Sequence, residues 1–199
     1  MASGGDGDEA GGQDASVLEP QAAARPWLIL VYRIPSEPTR LRATAWRRLK
    51  ALGAVYLQNS IAALPQDAAS ERALRKLRHD IIQMSGTAVL LSSNVLAGDE
   101  TVMATFQRAR SEEYEEIVDR CEGFLTEIQH EYEKSHFTYA ELEENEVDYA
   151  KLTGWFAKIR ERDRFGAPGR QPAEAALQRC QDALEQYASR VYSEEPEGH

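Results

Sequence analysis

The side chains of this sequence best suited to chemistry are arginines. Arg33, Arg40, Arg42, Arg47 and Arg48, joined by Lys50, crowd one short stretch in which Glu37 is the only acid. A guanidinium is planar and always charged, and it can grip two oxygens of a phosphate or another tetrahedral oxyanion at once. At roughly 100° per residue, Leu41, Ala45, Leu49 and Leu52 share one arc of a helix, and Arg42 falls between Leu49 and Trp46, inside the expected core-facing side. Arg40, Arg47 and Lys50 fall on the wet face and Arg48 at its margin. A half-buried guanidinium left unpaired costs several kcal/mol, so Arg42 needs a partner. Two remain open. One is a bound anion, with Arg33 and the free N–H groups of the helix start completing a cradle. The other is an acid of the C-terminal half, such as Glu113 or Glu146. Arg40 and Arg42 in a first turn oppose the helix dipole, so helix stability does not explain them.

A second basic set, Arg72, Arg75, Lys76 and Arg78, extends Arg40, Arg47 and Lys50 into a stripe that could follow a nucleic-acid backbone. Other chemistry finds little footing. Glu127 and His130 have the i, i+3 spacing of carboxylate-bridged metal bundles, but both point away from the apolar stripe through Cys121 and no second such pair exists. His79 and His136 stand alone and read as surface or cap residues. Two distant cysteines, Cys121 and Cys180, form neither a disulfide framework nor a zinc pattern and read as core residues. Asn145 and Glu146 place a polar pair on an apolar face, which marks either a register-fixing contact, the preferred reading, or part of a ligand pocket. Without a Walker loop, GxSxG or GxGxxG, the sequence predicts a protein that is not an enzyme and needs no cofactor or metal.

The net charge of −10 conceals a segregation. Residues 26–110 carry twelve basic and six acidic side chains (+6), whereas residues 111–199 carry ten basic and twenty-two acidic ones (−12). Such a split favours either an anionic partner for the basic part or docking of one half on the other. The start of the chain has neither the basic residues nor the apolar core of a signal peptide, and no stretch is long and apolar enough to span a bilayer, so a cytoplasmic protein without membrane association is expected.

These residues need a frame. The apolar run 27–33 reads as a buried strand, and Pro38 to Leu52 as a helix that Gly53 closes. Residues 54–58 and 61–65 read as a hairpin, 68–84 as a second helix and 86–92 as a fourth strand. The βαββαβ order predicts an α+β protein with a ferredoxin-like sheet, both helices on one face. Beyond residue 98 the chain reads helical. Stripes through Tyr114, Ile117, Cys121, Phe124 and Ile128, through Leu142, Tyr149 and Phe156, and through Leu177, Cys180, Leu184 and Tyr187 predict an antiparallel helical bundle. The expected division is a disordered tail over 1–24, the sheet domain over 25–97, an acidic three-helix region over 98–193 and a disordered end over 194–199.

The stretches "WLILVYRIPSEPTRLRATAWRRLKALGAVYLQNSIAALP", "SEEYEEIVDRCEGFLTEI" and "HFTYAELEENEVDYAKLTGWFAKIRERDRFGA" together resemble the N-terminal domain of the chromate-resistance regulators, the ChrB family. The resemblance implies a role in chromate-responsive control of an efflux pump. It implies chromate or a sulfate-like oxyanion as ligand at Arg33, Arg40, Arg42, Arg47 and Arg48. Separately, the basic stripe leaves DNA open as a partner, and a sheet edge or helical stripe leaves a second copy of the chain open. The sheet part also resembles the ferredoxin-like domain of CRISPR-associated nucleases. Those carry a metal-binding Asp at the end of strand one, where Tyr32 and Arg33 stand here, so nuclease activity is not expected.

Overall fold

Alternation of apolar residues toward two faces organises the N-terminal half. A computed structural model describes residues 26–194; most of the expected disordered ends, 1–24 and 194–199, lies outside the described residues, and Glu194 closes the last helix. The order is β1 (Trp27–Arg33), α1 (Thr39–Leu52), β2 (Val55–Gln58), β3 (Ile61–Pro65), α2 (Ala68–Gln83) and β4 (Thr87–Ser93), followed by α3 (Asp99–Lys134), α4 (Tyr139–Arg162) and α5 (Arg170–Glu194). The strands form one sheet in the order β2-β3-β1-β4, with every neighbouring pair antiparallel. This is the ferredoxin-like arrangement that the βαββαβ pattern predicts, followed by the expected helices.

Each face of the sheet has its own core. Leu28, Leu30, Ala62 and Leu64 point to one side, where Ala45 and Leu49 of α1 and Leu74, Leu77 and Ile81 of α2 cover them. Trp27, Val55 and Ala63 point to the other, where Phe106 of α3 buries them. The sheet therefore lies between the basic helices α1 and α2 and the first turns of α3.

Helix α1 ends where the sequence places its stop. Gly53 adopts φ +80° and donates its backbone N–H to the carbonyls of Leu49 and Lys50. A side chain there would be strained by that conformation, and its Cβ would stand 2.9 Å from Arg110 Nη1. Helix α2 begins on Asp67, whose carboxylate accepts from the N–H groups of Ala69 and Ser70.

The long helix α3 leaves the sheet and continues into a second core. Tyr114, Ile117, Cys121, Phe124 and Ile128 meet Phe156 and Ile159 of α4 and Leu177, Cys180, Leu184 and Tyr187 of α5. Cys121 and Cys180 are both fully buried and unbridged, as their read as core residues requires. Burial pushes both thiols up, Cys180 to about 12, and the thiolate is the reactive form. We expect iodoacetamide to label neither cysteine in the native protein and both in denaturant, with peptide mass mapping as the check. Asn145 is buried, as the apolar face requires, but it donates to the carbonyl of Glu141 in its own helix and so fixes no register between helices, and its neighbour Glu146 is exposed rather than on the inner face. Among the described residues no helix is long and apolar enough to cross a membrane.

Candidate functional site, a basic helix layer and the cleft beside it

Helix α1 carries five basic residues and no acid, and α2 carries four basic residues against Glu71 and Asp80. Both helices cover the same face of the sheet, so this charge is gathered into one layer. A salt bridge from Arg48 to Asp80 ties α1 to α2 and defines the seam between them. By helical geometry, Arg40 and Arg47 lie on the α2 side of the outer surface of α1, and Arg72 and Lys76 lie on the facing side of α2. All four are exposed, and none forms an ion pair or a side-chain hydrogen bond among the described residues.

The remaining basic residues are differently placed. Arg75 is held by Glu71 through Nε at 2.9 Å and Nη2 at 2.6 Å, and Arg78 Nε donates to the carbonyl of Ala88 at the β4 edge. Lys50 lies on the far flank of α1 from the seam, with its ammonium 5.5 Å from the Trp46 ring centroid. Arg33 is exposed at the end of β1. The five arginines expected to share an anion site thus divide between a strand end, the first turns of α1, its outer face and a salt bridge.

Arg42 is not half-buried. It is exposed, pairs with neither Glu113 nor Glu146, and lies on the same flank of α1 as Lys50. Trp46 explains the difference. The helical wheel treats that indole as a core residue, but it is 48% exposed, so the buried arc ends at Leu49 and Arg42 falls outside it. The start of α1 has Pro38 as its N-cap, with no side-chain cap and no acid in the first turn, so its N–H groups and Arg40 and Arg42 face water together.

The buried arginine is Arg110 on α3, 4% exposed. It lies one turn before Tyr114, and the four-residue step from Phe106 through Arg110 to Tyr114 is the sequence signal that the stripe beginning at Tyr114 leaves out. Glu113 Oε2 stands 3.3 Å from both Arg110 Nε and Arg162 Nη2. Arg162 Nη1 also donates to the carbonyl of Lys50 at 3.1 Å. Two guanidiniums of the helical half therefore meet the C-terminal end of α1, where the helix dipole is negative. Arg110 Nε and Nη1 make no hydrogen bond, and burial pulls this guanidinium below its ordinary range while the Glu113 carboxylate opposes the shift.

The cleft beside this contact has a volume of ≈ 670 Å³ and is walled by Lys50, Arg108 and Arg110 against Glu112, Glu113 and Glu116. Three cations face three carboxylates, so the cleft offers an anion no net attraction. Unneutralised positive charge is concentrated on the helix layer instead.

Taken together, the fold and this surface define a ferredoxin-like domain with a docked helical bundle and an open basic face. The chain matches the family described as Protein ChrB, N-terminal, over residues 42–198, and it belongs to that family. Membership associates it with chromate resistance. Neither a curated protein nor a solved structure matches it significantly.

Proposed function

We propose that this chain is a non-enzymatic, cytoplasmic regulatory protein of chromate resistance, and that its α1–α2 layer binds an anionic polymer, duplex DNA in the first instance. The observation that carries this reading is the set Arg40, Arg47, Arg72 and Lys76, exposed along one seam without carboxylate partners among the described residues. Magnitudes favour a polymer over a free ion. An exposed charge pair is worth up to about 1 kcal/mol, which leaves a single small oxyanion weakly held. A polyanion adds such contacts and gains from counterion release at each. The first turns of α3 pack on the opposite face of the sheet, and the acids that approach the layer, Glu113 and Glu116, border Arg47 and Lys50 at the C-terminal end of α1 and leave Arg40, Arg72 and Lys76 clear.

Fluorescence anisotropy with labelled duplex DNA tests the reading. Four phosphate contacts give a slope of log affinity against log salt near about −3.6, roughly a 150-fold loss between 50 and 200 mM salt. Replacing Arg47 and Arg72 with alanine together is expected to flatten that slope by about 2. An affinity that is flat with salt overturns the proposal.

The uncapped start of α1 favours a second reading, in which Arg33, Arg40 and Arg42 receive chromate or sulfate. Thermal melting at matched ionic strength separates the two: a chromate-specific rise that Arg42→Ala removes supports the small-ion site, and no rise beyond that with chloride rejects it.

A further inference from the structure

Helix α3 ends in a way that gathers donors of a different kind. Ser135 takes a left-handed conformation at φ 56°, the backbone N–H of His136 returns to the carbonyl of Glu131, and Thr138 accepts from the N–H of Glu141 to start α4. This reversal brings Glu131, His136 and Glu141 together, with one ligand atom from each lying within 4.8 Å of the others. His136 Nδ1 is already 3.1 Å from Glu131 Oε2. Beneath them the Tyr187 hydroxyl donates to the carbonyl of His136 and holds the turn in place.

The electrostatics of this turn call for a cation. Glu131 is 5% exposed and stands in the last turn of a 36-residue helix, where the dipole disfavours an anion. A second carboxylate, Glu141, faces it, and Glu141 has no side-chain hydrogen bond or ion pair among the described residues. Two like charges at this separation, one of them buried, are unfavourable without a counter-charge. The nearby candidates are loosely held. Lys134 approaches Glu131 only to 3.8 Å with its side chain half in water, and His136 is itself more than half exposed.

We propose that this turn binds one divalent cation of the zinc class, coordinated by carboxylate oxygens of Glu131 and Glu141 and by Nδ1 of His136. Two oxygens and one imidazole nitrogen suit a borderline first-row ion, and a three-residue set leaves a position open to water. Ligand bonds of about 2.0–2.2 Å require the three donors to draw in from their present separation, and the exposed side chain of His136 is free to do so. The donors span the end of α3, the turn and the start of α4, so the ion would fasten the two helices at their junction. The i, i+3 pair Glu127 and His130 does not take part, and both residues face water.

The test is titration calorimetry of the full chain, stripped of metal by a chelator, with Zn2+, Mn2+ and Mg2+ added separately. One saturable Zn2+ site per chain is expected, tighter than for Mn2+ and far tighter than for Mg2+. His136→Ala and Glu141→Gln should each weaken Zn2+ binding at least about tenfold while circular dichroism shows an unchanged fold. Neither change removes a buried side chain, so loss of folding does not obscure the result. The absence of a saturable site, or equal Zn2+ affinity in both variants and the parent, overturns the proposal. Because the DNA titration reads a different surface, the two proposals fail independently.

Discussion

Replacing Phe106 with alanine is expected to destabilise the protein by about 3–5 kcal/mol, the usual cost of deleting a buried aromatic ring. Phe106 is 2% exposed and its ring centroid lies 5.0 Å from that of Trp27, itself 1% exposed. Phe165, from the connection between α4 and α5, closes the group at 5.7 Å from Phe106 and 5.8 Å from Trp27. Three elements far apart in sequence thus meet on one ring, and its loss opens a cavity between sheet and bundle. Urea denaturation should show a lower midpoint with an unchanged slope. A shift equivalent to less than about 1 kcal/mol would mean that other contacts hold the halves together.

Replacing Glu113 with alanine is expected to cost a similar amount, about 3–5 kcal/mol, for an electrostatic reason. Glu113 is the one carboxylate in salt-bridge contact with both Arg110 and Arg162 among the described residues. Without it Arg110 stays buried, with Nε and Nη1 making no hydrogen bond and with only the more distant charge of Asp163 in compensation. A double variant gives the sharper test. Arg110→Met in the Glu113→Ala background removes the stranded charge and should restore most of the stability, because an apolar replacement of a buried ion pair is often nearly neutral. If the second change fails to recover stability, the cost of losing Glu113 arises elsewhere than in the unpaired guanidinium.

The sheet was legible because its signals are local. "WLILVYR" and "IAALP" are short apolar runs bounded by turn residues, and they form β1 and β3 with the predicted ends. Gly53 marks the end of α1 for a reason that one residue carries, its positive φ. The site was less legible because burial depends on partners that spacing does not name. Trp46 widened the apparent core arc of α1 and drew Arg42 into it, whereas the indole packs with Lys50 at the surface. The docking does join the sheet domain to the helical bundle, but the arginines involved are Arg110 of α3 and Arg162 of α4, which approach α1 from the bundle. Glu131, His136 and Glu141 sit at five-residue intervals that match no helical ligand pattern, and the left-handed turn at Ser135 brings them together.

Helix α3 has one end in the sheet core and the other at the junction with α4, and this makes it a lever. From Phe106 to Glu131 the helix runs about 38 Å, so a tilt of about 5° at the sheet end displaces the far turn by about 3 Å. That is comparable to the adjustment by which the donors of the α3–α4 turn would close on a metal ion. A ligand clamped there would therefore set the angle at which α3 leaves the sheet, and with it the hold of Arg110 and Arg162 on the end of α1.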